Sequence, residues 1–138
     1  MNRKEARECA FKILFANEFS KENTAIALWE SEINEGNYQN DDYVASLLKL
    51  TDTHKDEIEL AMQEYAVGWK INRVSAVSRA ILKLAIAEMF YLPEIPALVS
   101  LNEAIELSKS YDNEKAYGFV NGVLNAAMKD ARCIEKKN

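Results

Sequence analysis

Along this chain the apolar residues return at steps of three and four. Residues 3–19 set Ala6, Cys9, Ala10, Ile13 and Leu14 on one face, the spacing of a helix laid against a core. Residues 23–35 predict a second helix, with Asn23 or Thr24 as its cap and Gly36 as its stop. After the polar stretch GNYQNDD, Tyr43, Val44, Leu47, Leu48 and Leu50 mark a short third. A fourth, capped by Asp52 or Thr53, runs through Ile58, Ala61, Met62 and Tyr65 to about Gly68, with Asp56 and Glu57 suiting the positive end of its dipole. The most apolar segment, VSAVSRAILKLAIAEMFYL, repeats Val77, Ala80, Ile81, Leu84, Ala85, Glu88 and Met89 and predicts a central helix. It stops at LPEIP, because proline cannot continue a helix and disfavours helical geometry just before it. Pro96 fits the first turn of a sixth helix with Val99, Leu101, Ala104, Ile105 and Leu107 on its apolar face, and after SKSYDNEK a seventh runs to about Arg132.

One dipeptide cuts across this pattern. Asn121-Gly122, between apolar residues, is a strong short-range signal for a β-hairpin. On a strand, however, Phe119 and Val123 would share a face with Asn121 and Asn125, and Val120 and Leu124 would share the other with Gly122. Neither face is clean, whereas Phe119, Val120, Val123, Leu124, Ala127 and Met128 fit a helical stripe. A glycine inside a helix costs about 1 kcal/mol relative to alanine, so a close approach of another backbone or of a partner is expected at Gly122. The fold class is all-α: a single domain over 1–138, with about seven helices in two small subdomains, roughly 1–51 and 52–138.

Composition narrows the function. At 138 residues the chain can bury a sizeable core without a disulfide or metal staple. Its 49% hydrophobic and 28% charged residues suit a soluble protein, and no run approaches a membrane span. The opening MNRKEARECAF lacks the apolar core of a signal peptide, so a cytoplasmic location is expected. Cys9 and Cys133 stand outside any C-x-x-C motif and His54 is the one histidine, which leaves no ingredients for a zinc site or a histidine-based catalyst. Glu103 and Glu106, one turn apart, have no such companion. No enzyme, cofactor or metal is expected.

The net charge of −5 is unevenly spread: residues 1–20 carry +1, 21–68 carry −8 and 69–138 carry +2. If the two ends meet in space, they form a cationic surface on an anionic molecule; a solvated acidic face that aids solubility is the alternative. The first helix carries a second stripe, Phe11, Phe15 and Phe19, with Lys4, Arg7 and Lys12 beside it. Aromatics among cations stack on bases or anchor a protein interface, while a helix held between two neighbours buries such a stripe, Phe11 before Phe19. Arg3 and Lys4 sit one turn from Arg7, with Glu5 between them and Glu8 next to Arg7, a pattern open to ion pairing within the helix as well as to phosphate binding. Glu88, on the apolar face of the central helix, needs a partner, with Lys83 or Arg79 nearest in sequence.

Three stretches carry a family resemblance. RKEARECAFKILF (3–15), SRAILKLAIAEM (78–89) and IPALVSLNEAIELSKSYDNEKAYGFVNGVLNAAM (95–128) occur in the order and spacing of the NusB family of bacterial transcription antitermination factors, which the chain resembles over nearly its full length. The resemblance implies an all-helical fold of two small subdomains. It also implies binding of boxA RNA together with ribosomal protein NusE, so that RNA polymerase reads through terminators, above all in ribosomal RNA operons. It places RNA contacts at Arg3, Lys4 and Arg7, completed by Lys115 and Phe119 at the start of the last helix, which would lie near the first. It places Phe15, Phe19, Ser78, Arg79 and Leu82 in the region that meets NusE, and makes Asn121 a brace at the subdomain junction. Some members dimerise through the same basic surface. Lys115 stands where the family often has an acidic residue, and Asn125 replaces an aspartate. Two other readings are a helical RNA-binding module serving a separate ribosomal RNA methyltransferase and a helical protein-binding scaffold without RNA.

Overall fold

The computed structural model describes residues 1–133, the side chain at 72 excepted; residues 134–138, part of the basic carboxy-terminal third, lie outside the described residues. Among the described residues there are seven α-helices, one 3-10 turn and no strand: α1 (Arg3–Asn17), α2 (Ala25–Asn34), α3 (Asp42–Thr53), α4 (Lys55–Tyr65), the turn Ile71–Arg73, α5 (Ala76–Tyr91), α6 (Ala97–Tyr111) and α7 (Glu114–Ala127). None of these helices is long and apolar enough to cross a membrane.

Local chemistry explains most boundaries. Asn2 and Glu5 form a reciprocal capping box at the start of α1. Thr24, Asp41, Ser75 and Asn113 each accept a backbone N–H as caps of α2, α3, α5 and α7. Gly36, at φ 82°, takes the left-handed conformation that closes α2. Several expectations shift. The first helix ends at Asn17 and the fourth at Tyr65, both short of the expected 19 and 68. Pro96 is the residue before α6, with no side-chain cap, so it sits one place earlier than the first turn. Asp52 does not cap the fourth helix. It lies inside α3, and its two carboxylate oxygens accept from Ala25 N and Ile26 N at 2.9 Å each, so α3 caps α2 from outside. The joint between α3 and α4 falls at His54, without a side-chain cap.

The core is organised around α5, which touches α1, α3, α4, α6 and α7. From Ala80 to Phe90 every residue of α5 is buried except Lys83, as expected of a helix apolar nearly all round. Within that face Glu88 is 1% exposed. Its partners are not Lys83 or Arg79, because five and nine residues upstream on a helix point elsewhere. Arg7 Nε donates to Glu88 Oε2 at 2.7 Å, Tyr43 Oη donates to the same oxygen at 2.6 Å, and Ser100 Oγ donates to Oε1 at 2.8 Å. One carboxylate therefore ties α1, α3 and α6 to α5. Burial and the negative charge of Glu88 push the Tyr43 phenol above its ordinary range. Burial works against the Arg7 guanidinium, yet its bond to Glu88 holds its pKa above the usual value.

Breaking this group strands a buried charge, which costs about 3–5 kcal/mol when one partner of a buried pair is removed. Glu88→Ala and Arg7→Ala should each lower the unfolding free energy from urea titration by that amount. A loss below about 1 kcal/mol for both would show that the cluster is no more than a surface-type pair.

Candidate nucleic-acid interface

The aromatic stripe that starts on α1, and ends two residues beyond it at Phe19, is graded from core to solvent. Phe11 is 3% exposed and belongs to the core, Phe15 is partly buried, and Phe19 is 72% exposed. The rings make a ladder: Tyr111 to Phe11 at 5.0 Å, Phe11 to Phe15 at 6.4 Å, and Phe15 to Phe19 edge-on at 5.2 Å. An exposed phenyl ring at the end of a packed ladder is the form of a hot spot at a protein interface.

Beside Phe19 the Glu18 carboxylate is clamped. Arg79 Nε donates to Oε1 at 2.8 Å, Lys83 Nζ donates to Oε2, and Lys21 lies 3.8 Å away. Burial alone would raise the Glu18 pKa; the bonds from Lys83 and Arg79 outweigh it and hold the pKa below the ordinary value. Arg79 also donates through Nη1 to Ile71 O at 3.1 Å, joining the end of α1 to the 3-10 turn. Two residues of the expected protein-binding set are not surface groups. Leu82 is 0% exposed, and Ser78 is 1% exposed with its hydroxyl on Asp112 Oδ2 at 2.9 Å. Both follow from α5 being enclosed: helical spacing next to Arg79 does not give exposure.

The amino-terminal cations divide in a similar way. Arg3 is exposed and lies 3.9 Å above the Tyr43 ring, and Lys4 is exposed with Glu103 3.8 Å away. Arg7 is consumed by Glu88 and leaves the set of possible RNA contacts. The contacts Lys4–Glu103 and Phe11–Tyr111 show α1 and α6 running side by side in the same sense. Since α7 begins beyond Tyr111, its start lies on the order of 12 Å of helix further along α6 than Glu103. The two basic ends occupy one edge of the molecule but do not merge into one patch.

At the α7 end, Lys115 is exposed, whereas Phe119 is 6% exposed. What covers Phe119 is Trp69, 56% exposed, with ring centroids 4.9 Å apart. Trp69 carries a sequence signal of its own, standing beside Lys70 and close to Arg73 in VGWKINRVS as the phenylalanines of the first helix stand among cations. The glycines of α7 meet no neighbour. A Cβ on Gly118 or Gly122 would touch nothing within 4 Å, so the close backbone approach expected at Gly122 is absent, and that face lines an open groove with Tyr65, Val67 and Trp69. Asn121 braces no junction either. Its oxygens accept from Asn125 Nδ2, at 2.8 Å on the backbone and 2.9 Å on the side chain, one turn along the same helix.

Residues 4–129 match the model of the NusB family. The transcription antitermination protein NusB of Natranaerobius thermophilus is 34% identical over 132 residues, spanning 91% of this chain and 93% of its own length. That of Alkaliphilus oremlandii is 39% identical over 128 residues, spanning 90% and 91%. Among solved structures, NusB of T. maritima superposes with a TM-score of 0.87 at 30% identity, covering 99% of this chain and 96% of that one. A chain of the crystal structure of antitermination factors NusB and NusE in complex with dsRNA gives 0.79 at 32% identity, covering 92% and 96%.

The Glu18 clamp carries a pH signature. A carboxylate whose pKa is lowered by folding adds stability above its unfolded value, about 4.3 for glutamate, and loses it as the pH falls through the folded one. Glu18→Gln should therefore be less stable than the parent at pH 7, with the gap narrowing as the pH is taken from 5 down to 3 in urea titrations. A gap that stays constant over that range would contradict the clamp.

Proposed function

The chain belongs to the NusB family of transcription antitermination factors, and we propose that it acts as a non-enzymatic adaptor, binding boxA RNA together with ribosomal protein NusE so that RNA polymerase reads through terminators, above all in ribosomal RNA operons. The observation that carries this reading is the set of exposed cations on a protein of net charge −5, Arg3 and Lys4 at the start of α1 and Lys115 at the start of α7, the last beside the exposed Trp69. In this reading Arg3, Lys4 and Lys115 hold phosphates. The Lys4–Glu103 pair at 3.8 Å does not oppose this, since exposed pairs are worth about 0–1 kcal/mol and exchange readily. Phe15 and Phe19 anchor NusE, and Arg79 positions them through Glu18 without reaching outward. With few phosphate contacts, RNA affinity is modest and salt-sensitive, and a site shared between two linked partners supplies the remainder by effective concentration. Action within the transcription complex places the protein in the cytoplasm.

Titration of boxA-containing RNA, with and without NusE, tests this reading. RNA binding that NusE strengthens is expected; no RNA binding in either condition would favour the protein-binding scaffold. Lys4→Ala should reduce the slope of log affinity against log salt by about 0.7, as loss of one single-strand phosphate contact does, with the melting temperature unchanged. Phe19→Ala should weaken NusE binding by about 1–2 kcal/mol, as loss of an interface anchor does, and leave folding intact, because that ring is 72% exposed.

A further inference from the structure

We infer that Trp69, seated on Phe119, is a stacking platform for one unpaired base of the bound RNA, with Lys70, Arg73 and Lys115 holding the phosphates beside it. This inference rests on the RNA-binding reading above and assigns a residue and a mode of recognition to it.

The argument begins with the backbone. Gly68 adopts φ 82°, a conformation that L side chains rarely take, and Trp69 N donates to Ala66 O at 2.9 Å, so the turn after α4 fixes the backbone that carries the indole. One side of the indole rests on Phe119, yet more than half of Trp69 stays in solvent. A large aromatic ring fixed in this way and left uncovered has paid its ordering cost within the fold, so a flat ligand meets a prepared surface. The cleft beside it holds about 510 Å³.

Charge selects the ligand. Lys70, Arg73 and Lys115 line the cleft, and among the described residues none of them has an ion-pair partner. Asp112, the carboxylate on the cleft wall, is already engaged: its oxygens accept from the Ser75 and Ser78 hydroxyls and from Asn113 N. Glu114 lies around the corner, lining the neighbouring groove with Lys109 and Tyr117. Three cations against one carboxylate around an open indole match a base flanked by phosphates, the pairing that single-strand binders use. They do not match an apolar peptide or a second copy of this anionic chain. The 3-10 turn that presents Lys70 and Arg73 is held to α5 by the Arg79 bond to Ile71 O, so the cations are supported as the indole is.

The test uses the full chain and a set of twelve-nucleotide boxA-containing RNAs in which each base in turn is replaced by an abasic site. Binding of the intact RNA should quench tryptophan fluorescence, and Trp69→Phe should remove that quench, because the other tryptophan, Trp29, is 1% exposed. Trp69→Ala should weaken RNA binding about tenfold, and Trp69→Phe by less, as loss and retention of a stacking ring imply. At one position the abasic RNA should bind the parent about tenfold more weakly than intact RNA does and bind Trp69→Ala no worse. RNA that binds the parent and both variants equally, without quenching, would overturn the platform while leaving the RNA-binding reading in place. A parent that binds no RNA at all would overturn both. Loss of self-association in Trp69→Ala with unchanged RNA affinity would assign the cleft to a second copy of the chain and overturn the platform as well.

Discussion

Everything in this molecule is arranged around a carboxylate that water does not reach. Glu88 sits in the most apolar helix of the chain, and a charge placed there must collect its counterparts from the helices around it. It takes a guanidinium from α1, a phenol from α3 and a hydroxyl from α6. Apolar packing alone would hold these helices against α5 but would tolerate rotation or sliding; three directed bonds to two oxygens do not. The placement of α1, with Arg3 and Lys4 at its start and Phe15 and then Phe19 at and just beyond its end, is set by this arrangement.

The same chemistry sorts the cations. Arg7, Arg79, Lys83 and Arg132 are used inside the fold: Arg7 on Glu88, Arg79 and Lys83 on Glu18, and Arg132 on Asp130 and over the Phe90 ring. Others stay exposed, among them Arg3 and Lys4 at the start of α1 and Lys70, Arg73 and Lys115 around the cleft at Trp69. A net charge of −5 therefore says little about binding, because the field at a site depends on which charges nearby are unpaired. Arg79 links the end of α1 to the 3-10 turn physically, donating to Glu18 Oε1 beside the Phe15–Phe19 pair and to Ile71 O next to the cations of the cleft.

Helical periodicity was enough to place seven helices and the central position of the fifth, because those facts follow from spacing alone. The caps at Thr24, Ser75 and Asn113 are equally local, each a side chain on a backbone N–H within its own helix start. What spacing cannot contain is the partner across a helix pair. Glu88 lies 81 residues from Arg7, so its neighbours in sequence, Lys83 and Arg79, were the natural but mistaken candidates. Leu82 and Ser78 were misplaced for a related reason, since an enclosed helix has no outer face. Asp52 caps a helix that begins 27 residues before it, which no local rule finds. Phe119 was correctly located at the α7 start, but burial beneath Trp69 shows only in three dimensions, and Gly122 turned out to face open space.

The central claim is that one edge of the molecule, running from the start of α1 along α6 to the cleft at Trp69, carries the RNA. Amide chemical-shift mapping with a boxA-containing RNA tests it most directly. The account predicts perturbations at residues 2–5, 68–73 and 113–119, with α2 and the outer face of α3 unmoved. Perturbations centred on α2 and α3, or none at saturating RNA, would contradict it.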